Sequence, residues 1–280
     1  METSLRRVKV KSLIRLVPAT RNYVILRGGL GNQLHQIAAC VALSERNSGV
    51  PRIFAHIVDH AEDPTRRGFF RQVDLQGLFP GANLKEVNFL ENLILVILSK
   101  FNFIFCKKLI SSEQNFDSFT DKKSIVFLKG WFQSSEFFPW CMKPEVLSGS
   151  DVEFAKNLTI HVRLTDFASI DSDPLNSKYY RNAISLIPGE VKTNPIICFS
   201  DDITGARTIL QGIPHLKFPE IDQVLNPAEL LKRLSSTNFL IASKSSLCNW
   251  ASYAVIKNGG YVVTPLVERP IEGKWLSSSN

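Results

Sequence analysis

Residues 22–34 read Asn-Tyr-Val-Ile-Leu-Arg-Gly-Gly-Leu-Gly-Asn-Gln-Leu, and this stretch decides the fold class. The β-prone run 22–27 ends on a glycine pair. From Asn32 onward apolar residues fall at helical spacing, at Leu34, Ile37, Ala38, Val41 and Ala42. Strand, glycine turn, helix is the opening of a βα unit. Glycines let the backbone come close to a phosphate, and the following helix N-terminus offers N–H groups and a positive dipole end. The run is not a dinucleotide fingerprint, because Leu34 stands where the third glycine would let helix and strand pack. An ordinary tight turn fits the segment about as well by itself. The polar pair Asn32-Gln33 tilts the balance toward ligand contact.

Working outward, a second strand is predicted at 51–57, after Asn47-Ser48-Gly49 ends the helix. The stretch to about residue 119 is irregular, with one apolar helix near its middle. A buried strand follows at 124–128 and leads into Gly130-Trp131-Phe132-Gln133. Pro144, Ser148, Gly149 and Ser150 mark a boundary. Beyond it, strands at 157–163, 195–200, 216 onward, 238–242 and 260–264 alternate with helices at 179–186, 203–210, 227–234 and 246–256. Such alternation argues for parallel sheets covered on both faces. The predicted organisation is an arm at 1–21 followed by α/β halves at 22–150 and 151–280.

Composition narrows the function classes. Hydrophobic residues make up 44% of the 280 and charged residues 21%, so the chain has the makings of a real core. Thirty-three Lys and Arg against 26 Asp and Glu give +7, which suits an anionic ligand or an anionic membrane surface. Basic stripes interleaved with aromatics are missing, so nucleic acid is not an expected partner. Five scattered cysteines with no C-x-x-C pair read as small core residues in a reducing, cytoplasmic setting. The arm carries Arg6, Arg7, Lys9, Lys11 and Arg15 without an apolar h-region, so a cleaved signal peptide is not expected. A solvated arm is its first reading, and peripheral contact with the inner membrane face its second. The apolar run 89–105 is broken by Glu91, Asn92, Lys100 and Asn102 and reads as a buried helix rather than a membrane span.

Three further constellations sit at predicted strand ends, where open α/β sheets bind their ligands. In His161-Val162-Arg163-Leu164-Thr165-Asp166, His161 and Arg163 share a side of an extended strand. Arg163 can clamp phosphate oxygens with paired hydrogen bonds, or it can form a local ion pair with Asp166. In Phe199-Ser200-Asp201-Asp202, Ser200 or Asp202 can cap the next helix. A metal is the weaker reading there, since consecutive carboxylates face apart. In Ser243-Lys244-Ser245-Ser246, hydroxyls at a helix start suit an N-cap or a phosphate alike.

Taken in order, these segments resemble glycosyltransferase family 11, the α-1,2-fucosyltransferases. The G-G-L-G-N-Q of that family stands unaltered at 28–33, followed by histidine at His35 in an aromatic's usual place. G-[YW]-[FW]-Q-S is matched at 130–134, H-x-R-R-x-D by His161, Arg163 and Asp166, and Y-Y-x-x-A-I at 179–184. F-S-D-D is intact at 199–202, and the last motif corresponds to 243–250. Two departures stand out. Leu164 replaces the second arginine of the pair, and the last motif reads K-S-S-L-C-N-W.

The resemblance implies a GT-B-like fold, with two Rossmann-like parallel-sheet halves facing a cleft. The half at 22–150 would be the acceptor side and the half at 151–280 would bind the nucleotide sugar. It implies inverting transfer of L-fucose from GDP-β-L-fucose to a galactose hydroxyl of a glycan or lipid-linked oligosaccharide, in α-1,2 linkage. The leaving diphosphate would be met by Arg163, Ser245, Ser246 and the turn at Gly29, Gly31 and Asn32. Asp166 would serve as base, with Asp171 and Asp173 as alternatives, and His161 and Asp202 would hold the guanine. No metal or other cofactor is implied. An α-1,6-type fucosyltransferase shares part of the signature. A catalytically impaired GDP-sugar or glycan-binding protein is the reading from another class, with Leu164 as its mark.

Overall fold

The computed structural model describes residues 21–26, 28–46, 50–54, 85–86, 108–110, 126–128, 130–133, 157–164, 175–192, 194–219, 226–265 and 274–277. The chain divides into two compact units, Met1–Cys141 and Met142–Asn280. The arm at 1–21 (Arg21 apart), the apolar run 89–105, Cys106 and Cys141 lie outside the described residues.

The first unit holds strands β1 (Arg21–Ile25), β2 (Val50–Phe54), β3 (Lys85–Glu86), β4 (Lys108–Ile110) and β5 (Val126–Leu128), and helix α1 (Leu30–Arg46). Its sheet has the order β3-β2-β1-β5-β4, and every pairing is parallel. The C-terminal ends of β1 and β5 are therefore neighbours at the centre, with Val24 beside Leu128. The stretch read as irregular contains two of these strands. Both are short, which leaves no alternation to read. Helix α1 starts at Leu30, two residues earlier than the apolar spacing suggests. The Gln33 N–H donates to the Gly29 carbonyl at 3.1 Å and closes the first turn over Gly31 and Asn32. From Leu34 to Ser44 the helix is buried on every side, including His35 and Gln36.

The second unit holds β6 (Leu158–Val162), α2 (Ser177–Ser185), α3 (Gly189–Lys192), β7 (Ile196–Ser200), α4 (Ile203–Ile209), β8 (Leu216–Lys217), α5 (Pro227–Ser235), β9 (Phe239–Ile241), α6 (Ser246–Lys257), β10 (Tyr261–Thr264) and β11 (Lys274–Ser277). The sheet order is β11-β10-β9-β6-β7-β8, again parallel throughout. The chain winds outward from β6 to β8 on one side. It then restarts at β9 beside β6 and winds outward to β11 on the other. This is the doubly wound Rossmann order, with its topological switch point between β6 and β9. Residues 260–264 are thus not the last strand; β11 adds an edge.

Each element has a local cause. All five residues of β6 are buried, as expected of a central strand covered on both faces. Leu158, Ile160 and Val162 pack with Tyr179, Tyr180, Ala183, Ala206 and Leu210 into one core. Each fully buried Leu, Ile or Val of such a core contributes about 1.5–3 kcal/mol. Asn176 caps α2 by accepting from the Lys178 and Tyr179 N–H groups at 2.9 and 3.2 Å. Asn226 caps α5, with Pro227 in its first turn and a Glu229–Arg233 pair at 2.9 Å one turn apart.

Helix α6 ends in a Schellman arrangement. Gly259 sits at φ +81°, its N–H bonds the Ile256 carbonyl, and the Gly260 N–H bonds the Val255 carbonyl at 2.9 Å. A Cβ on Gly260 would lie 2.8 Å from the Asn238 carbonyl oxygen and 3.0 Å from that of Val255. Those are backbone atoms that cannot swing away. Gly260→Ala is expected to cost about 2–3 kcal/mol through overpacking, read as a lower urea midpoint with an unchanged slope.

Among the described residues no helix is long and apolar enough to cross a membrane.

Candidate active site

In the second unit His161, Arg163, Ser245 and Ser246 lie on the two segments that flank the switch point. β6 and β9 run in register, Ile160 beside Ile241, so residues 161–164 and 242–246 continue side by side from the last rung the two strands share. Arg163 and Leu164 follow the strand directly and are half-buried. The Asp201 carboxylate, at the end of neighbouring β7, accepts the Leu164 N–H at 2.8 Å and fixes the exit of β6.

His161 is buried beneath this rim. Its Nδ1 lies 2.8 Å from the Ser243 hydroxyl and 3.3 Å from the Cys248 thiol. Burial chiefly, then the Arg163 guanidinium, lowers its pKa to about 4, and Asp201 opposes them. The imidazole is therefore neutral at pH 7 and ties β6 to the loop after β9. The same burial pushes the Cys248 thiol up to about 11, so it stays protonated. Two tyrosines of α2 complete the frame. The Tyr179 hydroxyl donates to the Ala242 carbonyl at 2.7 Å and that of Tyr180 to the His161 carbonyl at 3.3 Å.

Ser245 is the N-cap residue of α6 and has the extended backbone of a cap, yet its side chain makes no capping hydrogen bond. Ser246 opens the helix. Hydroxyl and helix N-terminus thus stand together at the switch point, beside the strand that leads to Arg163. Asp202, by contrast, takes the capping role: its Oδ1 accepts the Gly205 N–H of α4 at 3.0 Å. Asp201 and Asp202 point to different partners, as consecutive carboxylates must. Among the described residues no three His, Cys, Asp or Glu side chains group as metal ligands. Asp166, Asp171 and Asp173 lie outside the described residues.

Leu164, the departure from the arginine pair, packs against the core of this unit. A Cβ on Gly205 would sit 2.6 Å from its Cδ1. The apolar side chain fills the space that the glycine at the start of α4 leaves open.

In the first unit the glycine turn meets the segment after β5. Gly28 adopts φ +71°, its carbonyl accepts the Gln33 side-chain amide at 2.8 Å, and the indole of Trp131 packs on it. Asn32, predicted as a donor contact, accepts the Gln133 side-chain amide at 2.8 Å. Gly29 and Gly31 flank this pair. Phe132 is buried at φ 50°, a backbone state that costs a bulky residue about 1–3 kcal/mol. A Cβ on Gly28 would press the ends of Asn32 and Trp131, at 2.9 and 3.0 Å, which can move, so the positive φ sets most of the cost. Gly28→Ala is expected to lose about 1–2 kcal/mol in chemical unfolding.

Sequence reasoning did not foresee Ser243 and Gln133 as partners. Ser243 lies 82 residues from His161, and Gln133 lies 101 from Asn32. Only the strand order brings each pair together.

No protein-family model matches the chain, and no curated protein does. Similar solved structures include the fucosyltransferase NodZ from Bradyrhizobium, at 11% identity over 85% of this chain and 94% of that one, with a TM-score of 0.46. A mutant of Arabidopsis thaliana FUT1 in complex with GDP aligns at 12% identity over 92% of this chain and 74% of its own, with a TM-score of 0.47. The E. coli heptosyltransferase WaaC with ADP aligns at 12% identity over 92% and 90%, with a TM-score of 0.42. At these scores the fold is defined by the chain's own strand order: α/β, with a parallel Rossmann-like sheet in each unit.

Proposed function

We propose that this chain is an inverting glycosyltransferase that moves L-fucose from GDP-β-L-fucose to a galactose hydroxyl of a glycan, in α-1,2 linkage, as glycosyltransferase family 11 does. The observation that carries the reading is the switch point of the second unit. An arginine one residue past β6 lies on the strand exit beside a helix start whose cap hydroxyl is not used in capping. That pairing suits a diphosphate, which wants a fixed cation and oriented O–H and N–H donors. The order of the sequence motifs supplies the sugar and the linkage.

In this mechanism the acceptor oxygen attacks C1 of fucose and the bond from C1 to the β-phosphate oxygen breaks. The hydroxyl proton passes to a carboxylate, for which Asp166 is the motif candidate, and the configuration at C1 inverts. Arg163, Ser245, Ser246 and the α6 N-terminus stabilise the charge that gathers on the departing GDP. His161 stays neutral and holds Ser243, while Asp202 holds α4. The charge on the diphosphate is met without a metal, so transfer is expected to persist in EDTA.

The test is GDP release from GDP-fucose with galactose-terminated acceptors, followed by NMR of the product linkage. An α-1,2 fucoside is expected. An α-1,6 linkage would move the protein to the other fucosyltransferase type. GDP binding with no turnover over a broad acceptor panel would make it a binding module. A chain that binds no GDP overturns the proposal.

A further inference from the structure

We propose that the rim formed by Trp131, Gln133 and Asn32 in the first unit is a saccharide platform, which stacks the pyranose ring of a neutral, galactose-terminated acceptor on the indole. The assignment of this sugar as the acceptor rests on the function proposed above; the binding of a neutral sugar does not.

Trp131 is 47% exposed, the most exposed large apolar side chain among the described residues. Its exposure is enforced. Phe132, next in the chain, is driven into the core at φ 50°, and the turn this makes leaves the indole outside. Strained backbone that holds an aromatic ring in solvent is a cost that packing alone would remove. Its ring edge also faces Gly28, where an added Cβ would come within 3.0 Å of it.

What surrounds the ring selects the ligand class. Asn32 and Gln133 are joined amide to amide at 2.8 Å, which orients both while each keeps further hydrogen-bonding capacity. Gly28, Gly29, Asn32, Gln33, Gly130, Trp131, Phe132 and Gln133, the described residues of this rim, carry no charge. A flat apolar ring bordered by neutral donors and acceptors fits a hexopyranose, which shows aromatics a C–H face and shows amides its hydroxyls. Galactose, with its axial hydroxyl on one side, leaves an unbroken C–H patch on the other. On this proposal Asn32 stands on the sugar side, where the motif order alone suggests the donor.

Lactose binding to the full chain, followed by saturation-transfer NMR and by tryptophan fluorescence, tests this. In Trp131→Ala the lactose signal and its fluorescence change are expected to vanish, while the GDP dissociation constant stays within twofold. Trp131→Phe is expected to retain binding within about tenfold, because a smaller aromatic face remains. Where turnover is measurable, Trp131→Ala should raise the acceptor KM at least tenfold and leave the KM for GDP-fucose unchanged. Unaltered lactose binding in a folded Trp131→Ala protein overturns the platform, and so does a loss of GDP affinity, which would place the indole on the nucleotide. Lactose binding lost in Trp131→Ala, in a chain that never binds GDP, would sink the proposed function and leave the platform standing.

Discussion

Replacing Arg163 with alanine is expected to lower the affinity for GDP at least about a hundredfold, measured by titration calorimetry, and to bring transfer below detection. A charged group hydrogen-bonded to its partner in a desolvated site is worth about 2–5 kcal/mol when removed, and a hundredfold in affinity is about 2.7 kcal/mol. Arg163→Lys should recover part of this, since the charge returns without the two-pronged geometry. The variant is not expected to unfold, because Arg163 is half-buried and lies just past β6. A second readout belongs to the guanidinium alone. Its charge is one of the two influences that lower the His161 pKa, so that pKa should rise in Arg163→Ala while burial keeps it below the ordinary value. Unchanged GDP affinity would refute the clamp.

The second large effect is acid sensitivity. Burial holds the pKa of His35 at about 3, and that of His161 is about 4, both down from 6.5. Below pH 6.5 the unfolded chain takes up protons at these positions and the folded chain does not. Stability therefore falls as pH drops, by up to about 1.4 kcal/mol per pH unit for each histidine. The loss levels off only below about pH 4 for His161 and about pH 3 for His35. At pH 5 each unit should have lost about 2 kcal/mol, a sizeable part of the 5–15 kcal/mol typical of a domain. Urea unfolding at pH 7 and pH 5 measures it. His161→Gln should flatten the pH dependence of the second unit and leave that of the first. If neither His161→Gln nor His35→Gln reduced the slope, the buried histidines would not be its source.

Much of this architecture could be read from residue patterns, and the limits of that reading have physical reasons. β6 and β7 were legible because central parallel strands are continuous apolar runs between turn residues. β11, with the sequence KWLS, is not legible, because an edge strand of four residues has neither length nor alternation. The start of α1 is hidden in the sequence because Gly31 and Asn32 are poor helix formers, and the bonds that enlist them, from Gln33 to Gly29 and Gly28, depend on the folded turn. In the site, Arg163 and Ser245 could be placed from their position at strand ends. The different fates of Ser245 and Asp202 could not, since a hydroxyl or carboxylate at a helix start looks the same whether it caps or not. Leu164 shows the same limit. Its replacement of an arginine was visible, but the packing partner Gly205 lies on another element.

The tyrosine pair of α2 has a consequence for how the second unit would hold a ligand. Tyr179 and Tyr180 grip one carbonyl from each of the two segments that flank the switch point, at Ala242 and His161. The ladder between β6 and β9 stops there, and a strand exit left to itself would fray into many conformations. Held from beneath by two rigid rings, the exits have little conformational entropy left to lose when a ligand arrives. A tight complex can then form with few contacts, and association should proceed by docking onto a ready surface rather than by ordering a loose one.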